Sequence, residues 1–105
     1  MSAAYLIGSL VGALAVFDGT CMVAKATPLF PIPRWSYPST RVALRWMGVG
    51  ETVLGIGIAA GFGVLATSGP VPAAAYIVAT GVAGQCFAYA TAWWVDYRAR
   101  RPASD

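Results

Sequence analysis

Three long apolar runs, separated by two short interruptions, set the pattern of this chain. From Ala3 to Ala24 the only charged residue is Asp18. At 1.5 Å per residue, this run of about 22 residues covers a hydrocarbon core of about 30 Å. A first transmembrane helix is therefore predicted over 3–24. No Lys or Arg precedes the run, it exceeds the usual signal-peptide core, and Asp18 interrupts it, so it is read as a retained helix. A second apolar run follows Ser39 and Thr40, either of which can cap a helix. It carries Arg41 and Arg45 at its start and predicts a helix over 42–66. A third helix is predicted over 71–95 and ends at Trp93 and Trp94. Pro28, Pro31, Pro33 and Pro38 exclude a regular helix between the first two runs. Leu29, Phe30, Ile32, Trp35 and Tyr37 are too apolar for a freely solvated linker, so residues 25–40 read as an interfacial Pro-rich loop. Thr67–Pro72 is a tight, uncharged turn. Residues 96–105 read as a polar tail.

Composition places this pattern in a membrane. Of the 105 residues, 58% are hydrophobic and 10% are charged, against about 25% charged in soluble domains. The length accommodates one transmembrane domain over 1–105 and no added soluble domain. The basic residues fix the expected topology. Lys25, Arg34, Arg41 and Arg45 fall in or beside the first connection, and Arg98, Arg100 and Arg101 follow the third helix. The N-terminus and the 67–72 turn carry none. The positive-inside rule then predicts an all-α bundle of three transmembrane helices with the N-terminus out and the C-terminus in. Trp35, Trp46, Trp93 and Trp94 collect at the same interface as the basic residues. The expected location is a bacterial inner membrane, with the 96–105 tail cytoplasmic.

Small residues mark candidate packing faces. Gly8 and Gly12 form a Gly-x-x-x-Gly on the first helix, with Ser9 and Ala13 beside them. On the second helix Arg45, Gly48, Glu51 or Thr52, and Gly55 recur at spacings of three and four, so they share a face. Gly57 and Gly61 extend a flat surface further along. Such surfaces suit close helix–helix contact, and the lower part of this one also suits a narrow pocket for a lipid or quinone headgroup.

Two acids demand a reason, because a carboxylate inside a bilayer costs several kcal/mol unless it is paired, protonated or wet. Asp18 and Glu51 each lie about six residues, or roughly 9 Å, inside the same boundary. Three arrangements satisfy them. Each acid pairs with a basic residue, with Lys25 and Arg45 able to snorkel toward them; or the two acids face one another and share a proton as a proton or cation site; or a partner subunit supplies an arginine. On the third helix Gln85 and Tyr89 are four apart and share a face, as an interhelical hydrogen bond or as candidate ligand-lining residues. Arg98, Arg100 and Arg101 are candidates for contact with anionic lipid headgroups. There is no His, and Cys21 and Cys86 have no metal-binding spacing, so no metal and no cofactor is expected. Three arginines beside a membrane anchor are accounted for by topology, and nucleic acid is not an expected partner.

The motif Arg-x-x-Gly-x-x-Glu-x-x-x-Gly, realised as Arg45, Gly48, Glu51 and Gly55, resembles the second helix of DoxX-like small membrane proteins. The Gly19–Lys25 end of the first helix is similar to the end of that family's first helix. The family usually has four helices, whereas three fit here. The resemblance implies a bundle associated with membrane redox systems, often as a non-catalytic subunit. Together with the absence of a nucleotide loop or a nucleophile–base pair, it leads to a first expectation. The chain is an accessory or structural subunit of a larger, redox-associated membrane complex, docking through small-residue faces and the Pro-aromatic loop. The expected partners are membrane lipids and other membrane subunits, or further copies of the chain. A homo-oligomeric proton-coupled transporter or channel using Glu51 and Asp18 is the alternative, and a quinone-linked oxidoreductase component is the third.

Overall fold

A computed structural model describes residues 3–25 and 40–100. They form three helices, α1 (Ala3–Lys25), α2 (Arg41–Ser68) and α3 (Pro72–Arg100), with no strand among the described residues. All three are long and apolar enough to cross a membrane. The Pro-rich loop expected over 25–40 falls, apart from its two end residues, outside the described residues. Lys25 closes α1, and Thr40 opens α2.

The helix ends follow from local chemistry. The Thr40 hydroxyl accepts from the Ala43 N–H at 3.3 Å, and the Thr40 carbonyl accepts from the Leu44 N–H at 3.1 Å. This satisfies donors that a helix start leaves open. At the other end Gly69 takes φ 74° and donates its N–H to the Leu65 carbonyl at 3.0 Å. Glycine tolerates that left-handed conformation at a helix terminus. Pro72 then occupies the first position of α3, where its missing N–H does no harm.

One boundary differs from expectation. Residues 96–100, expected in the tail, continue α3 to Arg100. Asp96 explains the extension: it is buried, and its Oδ1 accepts the Thr40 N–H at 3.0 Å. The last turns of α3 are thereby tied to the first turn of α2. The Trp94 and Tyr97 rings stack at 6.1 Å, and the Arg98 guanidinium lies 5.7 Å over the Trp94 ring.

Helix α2 runs between the other two. Both pack along it, and no Cα of α1 comes within 8 Å of one of α3. Glycines explain why. Gly12 faces Gly55 and Gly19 faces Gly48, two crossings seven residues apart on antiparallel helices. A Cβ on Gly55 would stand 2.6 Å from the Gly12 carbonyl oxygen, and one on Gly48 would stand 2.7 Å from that of Gly19. On the α3 side Gly50 meets Ala88 and Gly57 meets Gly81, again seven apart. A Cβ on Gly57 would lie 2.9 Å from the Gly81 Cα. Gly8 backs onto the Phe62 ring and Gly61 onto Val78. The two seams of α2 are offset by two residues, a rotation of about 200°, so α1 and α3 occupy nearly opposite faces.

The rotation falls short of a symmetric sandwich. Met47 is buried, and Glu51, Leu54 and Ile58 are half-buried along one flank of α2. Val42, Val49, Val53 and Ile56 are exposed along the other. The outer helices lean toward the first flank and make a shallow trough with α2 as its floor. At the end bearing the basic residues, Met22, Ala43, Met47 and Ala92 form a small core drawn from all three helices, with Leu44 and Tyr89 against it.

Candidate functional site

The trough carries the polar residues of the membrane interior. Asp18 stands one residue before the Gly19–Gly48 crossing on α1. Glu51 stands one turn past Gly48 on the trough flank of α2. The glycine crossing brings the two backbones close enough for short acidic side chains to meet, and the Asp18 and Glu51 carboxyl groups are neighbours across it. Asp18 is 3% exposed, so the contact is withdrawn from lipid on the α1 side.

Helix α3 contributes the other half. Gln85 and Tyr89 are hydrogen-bonding neighbours one turn apart, and Tyr89 lies close to Glu51 and Asp18. Gly50 admits the tyrosine, since a Cβ there would stand 3.2 Å from the ring edge. Four polar side chains from three helices therefore converge directly above the Met22–Met47–Ala92 core. Glu51, Gln85 and Tyr89 remain half-buried.

The face expected to hold Arg45, Gly48, Glu51 or Thr52, and Gly55 divides in the structure. Gly48, Thr52 and Gly55 turn to α1, and the Thr52 hydroxyl bonds back to the Gly48 carbonyl at 2.8 Å. Glu51 turns to the trough. Arg45 is exposed on the opposite flank, about 120° round the helix from Glu51. Among the described residues no ion pair joins Arg45 to Glu51; the contact of Glu51 is to Asp18. Arg45 and Glu51 thus lie on different flanks of α2, because six residues do not complete a whole number of turns.

The remaining candidates are dispersed. Arg98 covers Trp94, Arg100 closes α3, and Arg101 lies outside the described residues. Cys21 is half-buried and Cys86 exposed, both free, on the two outer helices, whose Cα atoms stay more than 8 Å apart. Among the described residues no three of His, Cys, Asp and Glu gather to hold a metal ion. Sequence reasoning passed over Asp96, Gly50 and Gly81. Gly50 and Gly81 were legible as seven-residue partners of Gly57 and Ala88. Asp96 beside two tryptophans carried no local signal of its bond to Thr40. No family model, curated protein or solved structure matches the chain.

Proposed function

We propose that the chain is a small multi-pass protein of a bacterial inner membrane, N-terminus out and C-terminus in, that serves as a non-enzymatic subunit of a larger membrane assembly. The observation that carries this is the half-burial of Glu51, Gln85 and Tyr89 in the trough. Polar side chains at membrane depth face protein or water rather than lipid. A layer of three helices with α2 in the middle covers them on one side, and a helix from another subunit laid in the trough covers the other. The resemblance to DoxX-like proteins supports an assembly associated with membrane redox chemistry. The test is mild solubilisation of the tagged chain from its native membrane, followed by mass determination of the particle. Stoichiometric recovery of an unrelated membrane subunit is expected. A monomer or a pure homo-oligomer would overturn the accessory role.

A second function is favoured by the Asp18–Glu51 contact. Two neighbouring acids between two membrane-crossing helices suit proton-coupled transport by a homo-oligomer. Proteoliposomes containing the chain would then show proton-coupled flux that Glu51→Gln abolishes. Absence of flux in the wild type removes this alternative.

A further inference from the structure

Arg45 is left over by the polar cluster, and its surroundings define a different site. On the flank of α2 opposite the trough, Val42, Arg45, Trp46 and Val49 line a shallow groove of about 190 Å³. Arg41, one turn nearer the helix start, is exposed on the same side as Arg45. Neither arginine forms an ion pair among the described residues. Val42 is 55% exposed and Trp46 37% exposed, so the groove opens outward. It lies within the first turns of a membrane-crossing helix, at the end where the basic residues collect. A guanidinium there must meet an anion at the interface or reach for water.

We propose that this groove binds one anionic phospholipid. The phosphate sits between Arg41 and Arg45, whose forked donors suit a phosphate better than a point charge does. The glycerol backbone rests beside the Trp46 ring, which favours the headgroup boundary. The first acyl carbons run along Val42 and Val49 toward the bilayer centre. Both parts are required: the arginines select the negative headgroup, and the apolar walls select a lipid over a free phosphate. The opposite flank of α2 stays free for the subunit contact, so lipid and partner occupy different sides of one helix.

The full chain in neutral detergent is mixed with equal amounts of phosphatidylglycerol and phosphatidylcholine, and the retained lipid is counted by native mass spectrometry. A single phosphatidylglycerol bound in preference to phosphatidylcholine is expected. Arg41→Gln and Arg45→Gln should each weaken that preference about five-fold, the equivalent of about one interfacial charge. Helicity by circular dichroism should be unchanged, since both side chains are exposed. Lys25→Gln, exposed at the same end but outside the groove, should leave the preference intact. Trp46→Ala should weaken retention of both lipids. Equal retention of the two lipids, or an equal loss in Lys25→Gln, would overturn the site. So would displacement of the lipid by glycerol 3-phosphate, which would show a phosphate site without a lipid one.

Discussion

At the scale of single residues, the membrane interior of this protein is organised by where each acid finds its partner. Asp18 and Glu51 lie against each other, and Asp96 accepts the Thr40 N–H at the α2 start. Removing Glu51 by Glu51→Ala takes that contact from a carboxyl that is 3% exposed. Stability should fall by about 1–3 kcal/mol, the usual cost of losing a buried polar partner. Glu51→Gln keeps a donor in place and should cost under about 1 kcal/mol. Reversible unfolding in bicelles measures both, and an equal loss for the two variants would count against the contact. Asp96→Ala should cost about 1 kcal/mol as a lost cap, visible as fraying of the α2 start in hydrogen exchange. The acids themselves were legible, since charges in apolar runs stand out. Their contact was one of three arrangements open to them, and the choice was not legible because Arg45 and Glu51 look adjacent along the chain and are separated by rotation about the axis.

At the scale of elements, the helices were legible almost to their ends. Apolar runs bounded by Thr40, Gly69 and Pro72 leave little freedom. The extension of α3 to Arg100 was not legible, because a tertiary bond to Thr40 secures it rather than any property of residues 96–100. The glycine seams decide how the elements meet. Gly12, Gly48 and Gly55 were recognisable as packing positions, but which neighbour each faces depends on the two-residue offset between the α2 seams. The seams make a contrasting pair of substitutions. Gly55→Ala places a Cβ 2.6 Å from the Gly12 carbonyl oxygen, whereas Gly63→Ala meets nothing within 4 Å. The first should destabilise the fold by about 1–3 kcal/mol through overpacking. The second should be neutral, or stabilising by up to about 1 kcal/mol from helix propensity. Unfolding of the two variants side by side checks this; similar losses would contradict the seam.

At the scale of the whole molecule, three antiparallel helices put Lys25, Arg41, Arg45, Arg98 and Arg100 at one end. If that end is cytoplasmic, Ser2→Cys in a background of Cys21→Ala and Cys86→Ala should react with a membrane-impermeant maleimide added outside intact cells. Ser104→Cys should react only after the membrane is opened, and the reverse pattern would invert the topology. Burial in the structure is lopsided, and that asymmetry carries the functional proposal. One flank of α2 presents Val53 and Ile56 outward, while the other holds Leu54, Ile58 and the polar cluster in a trough. The central claim is that a helix of another subunit fills that trough. Nitroxide labels at Ile58 and Ile56 test it through their accessibility to oxygen, which concentrates in lipid. In the purified assembly, reconstituted in bilayers, the Ile58 label should be shielded well below its level in the isolated chain, while the Ile56 label stays as accessible as before. Equal accessibility at Ile58 with and without the other subunits would contradict the claim.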